Sequence, residues 1–164
     1  MCIRDRCDSE PPVFVNTVKV QSAKDMYDAV IERADSMDII VKAAAVADYR
    51  PKNVSSEKVK KQDGNMSIEL ELTDDILKTL GERKNGQFIC GFSMETENML
   101  ENSKKKLEKK NCDMIVANNL KQDGAGFGGN TNIVTLITKD DEVQLEKMTK
   151  DEVAEKIFDF ILSR

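Results

Sequence analysis

The sequence predicts an α/β fold with a mainly parallel sheet, because short apolar runs alternate with amphipathic stretches of helix length. The run at 38–46 is almost continuously apolar, which is typical of a strand buried on both faces of a parallel sheet. Near the end, runs at 133–138 and 143–146 flank a polar turn and predict an antiparallel hairpin. At 164 residues the chain has single-domain size and can bury a core.

The predicted elements follow the chain in order, after a lead of 1–12 that fits no element. The predicted strands are 13–20, 38–46, 66–72, 87–92 and 113–117, followed by the two hairpin strands. The predicted helices are 22–34, 73–84, 96–110 and one from 149 onwards, with Ser22, Thr73 and Thr149 as N-caps. Polar loops are predicted at 48–63 and 118–131. Because ligands bind at the carboxyl ends of parallel strands, we expect binding residues after 46, 92 and 117.

Composition excludes several classes of function. The chain has no histidine, which excludes Ser-His-Asp and Cys-His catalysis and histidine-ligated metal sites. A net charge of −5 argues against a general nucleic-acid partner, and no run approaches the roughly 18 apolar residues of a membrane span. The four cysteines form no CxxC pair, so a zinc site is not expected, and Cys90 and Cys112 are predicted to pack as small apolar residues in a reducing cytoplasm.

The segment AAAVADYRP at 43–51 is the first candidate site. Three alanines at a strand end have little bulk, so a flat ligand could approach the main chain there. Asp48 follows, where a carboxylate could accept from a sugar hydroxyl or a base amine. Tight packing over the alanines, with Asp48 as a turn residue, explains the pattern equally well.

Two groups of lysines suit phosphate binding. EKVKK at 57–61 places Lys58, Lys60 and Lys61 in the long polar loop, although a solvated basic loop is the commoner origin of such a run. Lys106 and Lys110 lie four residues apart and therefore share one helix face. They could hold a triphosphate, although most lysine-rich faces simply contact water.

Two further segments lie at predicted strand ends. In GFSMET at 91–96, Gly91 permits close approach and Phe92 could stack on a base or belong to the core. The stretch at 123–130 contains GxGxxG, but a strand follows it where a dinucleotide site requires a helix, so we reject that interpretation. Asn118 and Asn119, at the preceding strand end, are better candidates for polar ligand contacts.

In combination, these segments resemble the bacterial phosphopantothenate–cysteine ligase family of coenzyme A biosynthesis. The resemblance rests on AAAVADYRP, EKVKK, DDIL at 74–77, GFSMET, the paired lysines and ANN at 117–119, in matching order over about 13–163. It implies a Rossmann-like α/β domain that works as a homodimer. The implied reaction joins 4′-phosphopantothenate to L-cysteine through an acyl-cytidylate, with CTP as cosubstrate and Mg²⁺, although other members use ATP.

The resemblance also implies roles for individual residues. Lys58 is the residue expected to act in catalysis. Ala44 and Ala45 lie where the family binds the acyl part, and Asn118 is a further predicted substrate contact. Nucleotide contacts are implied at Lys42, Ala43, Ala44, Asp48, Lys58, Asp74, Asp75, Ile76, Leu77, Phe92, Lys106 and Lys110. Asp74 stands where many relatives have proline, a change that backbone contacts would tolerate.

The chain departs from the family pattern at its start. The family begins with an additional β-α unit carrying a Gly/Ser-rich loop, and nothing like it precedes Val13. We therefore expect 13–164 to be most of a ligase domain from a longer protein, with any flavin belonging to an upstream decarboxylase domain. The alternative is a non-catalytic nucleotide-binding or dimerisation module. An NAD-type oxidoreductase is disfavoured by the position of the glycines.

Overall fold

A computed structural model describes residues 2–4, 10, 12–60, 64–95, 97–119 and 129–164. The chain forms two compact units, which are described separately. The first unit comprises Met1–Glu32 and Ala45–Ile76, and the second comprises Arg33–Ala44 and Leu77–Arg164. Lys61, Thr96 and most of the glycine-rich stretch at 123–130 lie outside the described residues.

Four helices and eleven strands are present in the described residues. The helices are α1 Ala23–Ala34, α2 Ile76–Arg83, α3 Met99–Lys109 and α4 Lys150–Leu162. The strands are β1 Cys2–Arg4, β2 Thr17–Lys19, β3 Ile39–Lys42, β4 Tyr49–Pro51, β5 Leu70–Leu72, β6 Phe88–Glu95, β7 Met114–Asn119, β8 Thr131–Asn132, β9 Val134–Ile137, β10 Glu142–Gln144 and β11 Met148–Thr149. None of the described helices is long and apolar enough to span a membrane.

The second unit is built on a five-stranded mixed sheet in the order β10-β9-β7-β6-β3. Strands β3, β6 and β7 are parallel, and β9 and β10 form the predicted antiparallel hairpin. On one face, a cluster including Met114 and Val116 packs against Val153, Ile157 and Ile161 of α4. Helix α3 packs beside β6 and β7, and its Ser103 bonds Ser93 of β6. This arrangement is a Rossmann-like α/β fold and confirms the predicted fold class.

The first unit holds two small sheets. Strands β1 and β2 pair in parallel, so part of the lead predicted to fit no element forms a strand. Strands β4 and β5 pair antiparallel, with Tyr49 opposite Leu72 and Pro51 opposite Leu70. Strand β4 lies inside the predicted loop at 48–63, and β5 covers only the end of the predicted strand at 66–72. The loop prediction missed β4 because Tyr49 and Arg50 find their partners some twenty residues later.

Several predicted boundaries are wrong at strand ends. Strand β3 stops at Lys42 instead of 46, because the alanines that follow have weak β-propensity. It is also partly exposed, with Val41 at 38%, since it is the last strand of its sheet. Strand β6 runs to Glu95 and β7 to Asn119, because 93–95 pair with 117–119 although four of these six residues are polar.

Helix capping agrees with the sequence at two of the three predicted positions. Ser22 Oγ accepts from the Asp25 amide at 3.1 Å, and Thr149 Oγ1 accepts from the Glu152 amide at 3.2 Å in a capping box. Thr73 is not an N-cap. Its hydroxyl donates to the Ala47 carbonyl at 2.6 Å, and α2 begins only at Ile76.

Candidate active site

The carboxyl edge of the second unit's sheet brings three predicted segments together. The last residue of β3, Lys42, pairs with Gly91, whereas β6 continues to Glu95 alongside β7. Strand β3 therefore ends while its neighbours extend beyond it. This places 42–44, Phe92 and Asn118 at one edge, where ligands of such sheets bind.

The main chain after β3 is accessible. Lys42 is half-buried, and its Nζ donates to the Ala44 carbonyl at 2.8 Å. Ala43 and Ala44 are exposed. This exposure disagrees with tight packing over the alanines, and a ligand contact with the main chain here stays a prediction.

Lys106 reaches strand β6. Its half-buried side chain donates from Nζ to the Phe92 carbonyl at 2.9 Å, which brings a positive charge to the strand. The neighbouring lysines differ, because Lys104 pairs with Glu142 at 2.7 Å and Lys105 with Glu101 at 2.6 Å. The face that carries Lys106 is therefore directed at the sheet edge and is not simply a solvated face.

The large apolar residues of the predicted set are partly or fully buried. The Phe92 ring packs against the core cluster beneath α4, so it acts at least in part as a core residue. Ile76 and Leu77 are 2% and 4% exposed. If these two residues contact a nucleotide, they do so through their backbone.

Asn118 carries an unsatisfied polar atom. Its Oδ1 is buried and has no hydrogen-bond partner among the described residues. Asn118 pairs with Met94 on β6 and with Val134 on β9, which places it near the strand end. Buried oxygens nearly always accept a hydrogen bond, so this atom is a candidate acceptor for a ligand donor.

Lys110 is the half-buried C-cap residue of α3 in the second unit, and the other remaining candidates belong to the first unit. Ala45, Asp48, Asp74 and Asp75 are all exposed, and the Asp48 carbonyl accepts from the Thr73 amide at 2.9 Å. Lys58 is exposed just after a turn in which Ser55 Oγ bonds the Glu57 carbonyl at 2.8 Å. The described part of the chain gives Lys58 no hydrogen bond or ion pair.

The two internal cysteines pack as the sequence predicted. Cys90 is fully buried and Cys112 is 8% exposed. Burial raises the pKa of the Cys90 thiol to about 12 and that of Cys112 to about 11. Burial thus disfavours the reactive thiolate form of both residues at neutral pH, in keeping with their packing as small apolar side chains.

Sequence reasoning missed two features beside the site. Ser93 and Ser103 form a buried hydroxyl pair, 2.7 Å apart, between β6 and α3. An open cavity of about 390 Å³ lies between the start of α3 and strands β7, β9 and β10, and Thr135 contributes to its wall. No predicted nucleotide-binding residue lines the cavity. Both features arise from helix–sheet packing, for which the local sequence carries no pattern.

The described residues contain no group of three or more histidine, cysteine, aspartate or glutamate side chains that could hold a metal ion. The part of the chain that the structure describes therefore offers no evident protein-only site for the Mg²⁺ that the resemblance implies. Magnesium is commonly held by one or two carboxylates together with substrate phosphates, so we assign no metal ligand.

Known proteins share this chain's sequence and fold. The chain is 51% identical over 131 residues to the coenzyme A biosynthesis bifunctional protein CoaBC of Bacillus subtilis (strain 168), covering 80% of this chain and 32% of that protein. It is 43% identical over 151 residues to a cysteine/cysteine sulfinic acid decarboxylase of an unknown prokaryotic organism, covering 91% and 42%. It thus spans less than half the length of these relatives.

A crystal structure of the C-terminal domain of CoaBC matches with a TM-score of 0.80 and 44% identity, covering 97% of this chain and 70% of that one. The family model for the DNA/pantothenate metabolism flavoprotein C-terminal domain matches residues 2–164. The motifs, the sheet topology and these similarities agree. The chain belongs to the DNA/pantothenate metabolism flavoprotein C-terminal domain family.

Proposed function

We propose that the chain is a phosphopantothenate–cysteine ligase domain, which uses CTP to join 4′-phosphopantothenate and L-cysteine in coenzyme A biosynthesis. The observation that carries the proposal is the Lys106 ammonium, 2.9 Å from the Phe92 carbonyl at the carboxyl edge of the sheet. It lies in a chain that is 51% identical over 131 residues to a coenzyme A biosynthesis protein. The position of a lysine at the sheet edge and the sequence similarity to a coenzyme A biosynthesis protein therefore both support the ligase proposal.

The proposed reaction has two steps. A carboxylate oxygen of phosphopantothenate attacks the α-phosphorus of CTP, an O–P bond forms, and pyrophosphate leaves. The cysteine amine then attacks the acyl carbon, loses a proton, and displaces CMP as the amide bond forms. Both steps move negative charge over phosphate oxygens, which fixed cations stabilise without a histidine. Magnesium, bound with the triphosphate, would add to this charge neutralisation.

Individual residues have distinct proposed roles. Lys106 and Lys110 bind phosphates, and Lys58 in the first unit stabilises charge on the reacting phosphate as the catalytic lysine. Asp48 binds the nucleoside, and the open main chain at Ala43 and Ala44 accommodates the ligand. Further nucleotide contacts are proposed at Lys42 and at Asp74, Asp75, Ile76, Leu77 and Phe92.

On the acyl side, Ala44 and Ala45 leave space beside the main chain. The buried Oδ1 of Asn118 requires a donor, and the amide or hydroxyl groups of a pantothenoyl chain supply one. Asn118 is therefore proposed to orient the substrate at the strand end.

We also propose that two copies associate through the β4–β5 hairpin. Tyr49, Leu70 and Leu72 lie on one face of the hairpin and are 58%, 54% and 69% exposed. The opposite face carries the ion pair of Arg50 with Glu71, at 2.7 Å. A continuous exposed apolar face marks an interaction surface, and a second copy offers a matching one.

The cytoplasm is the proposed compartment. Cys90 and Cys112 are buried free thiols, in keeping with a reducing environment. The proposal has no role for a nucleic acid or a membrane.

The test is to incubate the protein with CTP, Mg²⁺, phosphopantothenate and cysteine and to measure pyrophosphate and CMP. We expect sustained release of both products in equal amounts when all substrates are present, and no release of CMP without cysteine. Replacing CTP by ATP tests the preference for the base. Binding of CTP without product would support the alternative of a non-catalytic nucleotide-binding module, and the absence of nucleotide binding would contradict both proposals.

Lys58→Gln tests the catalytic assignment. Loss of a fixed donor to the reacting phosphate should slow turnover by about 10²–10³-fold with the fold intact. Lys60→Gln, two residues away in the same exposed segment, is the matched control and should keep near-normal turnover. Wild-type turnover in Lys58→Gln would contradict the role of Lys58.

A further inference from the structure

Helix α2 approaches the end of α3 unusually closely. A β-carbon built on Gly81 would lie 1.9 Å from the Lys110 carbonyl oxygen and 3.1 Å from the Asn111 Cβ. Contacts below 3.0 Å are not seen for real β-carbons, so no residue larger than glycine fits here without a shift of the backbone. Position 81 is therefore restricted to glycine by contact and not by its own backbone conformation.

Helix stability alone would favour another residue at this position. Gly81 lies within an eight-residue helix, where glycine is less favourable than alanine. The close contact accounts for a glycine at a place where local propensity opposes it. It also indicates that the packing of α2 against the end of α3 requires this short separation.

A hydrogen bond supports the same contact. Asn111 Nδ2 donates to the Gly81 carbonyl at 2.8 Å. Asn111 itself adopts a left-handed conformation, with φ of 51°, just beyond the C-cap residue Lys110. Asparagine tolerates this conformation, which commonly ends helices. Helix α2 thus holds the two residues that terminate α3.

The other end of α2 is also fixed to the sheet. Leu77, four residues before Gly81 and on the same helix face, lies over Gly91 of β6, where an added β-carbon would be 2.7 Å from Leu77 Cδ2. Helix α2 therefore spans from β6 to the end of α3 through two close contacts. Helix α3 has its own bonds to β6, and the contact with α2 adds a constraint on the backbone of Lys110.

We propose that Gly81 is a positioning residue, which sets the backbone of Lys110 so that its ammonium meets the nucleotide triphosphate together with Lys106. This inference rests on the proposed function. Gly81 touches no substrate and acts through Lys110. A displacement of about 1 Å at a reacting group can lower the reaction rate about a hundredfold. We therefore expect a larger residue at position 81 to weaken triphosphate binding specifically.

The test measures the dissociation constants of CTP and CMP by calorimetry in the wild type and in Gly81→Ala. A positioning role predicts that the affinity ratio of CTP to CMP falls about tenfold, because only the triphosphate needs both lysines. General destabilisation would weaken both nucleotides alike. Gly86→Ala is the matched control: its glycine has φ of 91° with open space around it, so alanine strains the backbone without touching α3.

Lys110→Gln completes the experiment. It should lower the same ratio, and adding Gly81→Ala to it should lower the ratio no further. If Gly81→Ala does not fold, Asn111→Gly keeps the left-handed residue, removes the bond to Gly81, and should lower the ratio about two- to threefold. An unchanged ratio in the folded variants would overturn the inference alone. A wild type that binds neither nucleotide would overturn the proposed function and the inference with it.

Discussion

The β4–β5 hairpin of the first unit and the five-stranded sheet of the second unit contain similar apolar residues in different surroundings. Leu70 and Leu72 of the hairpin are 54% and 69% exposed. Met114 and Val116 of the sheet are fully buried. The sheet has helices packed on it, whereas the apolar face of the hairpin is uncovered in the described residues.

The five-stranded sheet is stabilised by contacts within the chain, whereas the β4–β5 hairpin needs a partner to bury its apolar face. Burying an apolar side chain such as leucine contributes roughly 1.5–3 kcal/mol, and the sheet obtains this within the chain. The hairpin obtains it only when another surface covers it. The same apolar alternation therefore supports the fold in one unit and, by our proposal, association in the other.

The largest expected effect is on the sheet. Leu136 is 1% exposed within the core cluster, so Leu136→Ala should lower the free energy of unfolding by about 2–5 kcal/mol. Leu70→Ala in the hairpin should change it by less than about 0.5 kcal/mol when measured at low protein concentration. Urea unfolding measures the free energy of unfolding of both variants. Equal losses of this free energy would contradict the difference between the covered sheet and the uncovered hairpin.

The sequence predicted this sheet well and the hairpin poorly. The run through Ile115 and Val116 is continuously apolar, so both its strand character and its burial could be read locally. Strand β4 could not be predicted, because Arg50 forms its strand only by pairing with Glu71 far along the chain. Thr73 resembled an N-cap, but α2 begins only at Ile76, and the Thr73 hydroxyl donates to the Ala47 carbonyl.

The sequence also selected some residues of the candidate site and missed others. Helical spacing predicted that Lys106 and Lys110 share one helix face, and the strand-end rule selected Asn118, but ligand binding by these residues stays a prediction. Gly81 carried no signal, because a glycine within a helix looks unfavourable until the neighbouring helix is known. Local patterns thus selected candidate residues, whereas packing determined which side chains meet.

Association through the hairpin is expected to show the next largest effect. Leu70→Asp places a charge on the proposed interface and should raise the dissociation constant of the dimer at least about tenfold, by burying an unpaired carboxylate. Glu71→Gln, on the opposite face of the same strand, should leave association unchanged. Sedimentation equilibrium measures both, and a monomeric wild type would contradict the hairpin interface.

The smallest expected effect concerns the helix caps of α1 and α4. Hydrogen bonds from Ser22 lower the pKa of Asp25, and the Thr149 backbone amide lowers the pKa of Glu152. A folded-state pKa below the unfolded value stabilises the fold above the unfolded pKa, about 4 for these groups, and this contribution is lost as pH falls through the folded pKa.

Thermal unfolding between about pH 2 and 6 tests the caps, since the window must span their ordinary and lowered pKa values. Asp25→Asn and Glu152→Gln remove the titrating groups and should each make the decline of melting temperature below about pH 4 less steep. Glu155→Gln, an exposed residue of α4, is the control and should retain the wild-type decline. If the melting temperature of both cap variants declines as in the wild type, the two carboxylates do not contribute to stability in this way.

The most direct measurement of the central claim follows an isotope through the reaction. Phosphopantothenate labelled with ¹⁸O in both carboxylate oxygens is incubated with CTP, Mg²⁺, cysteine and the protein, and CMP is analysed by mass spectrometry. Carboxylate attack on the α-phosphorus predicts that CMP gains one ¹⁸O while the amide product retains one. Unlabelled CMP, or no CMP at all, would contradict a ligase that proceeds through an acyl-cytidylate.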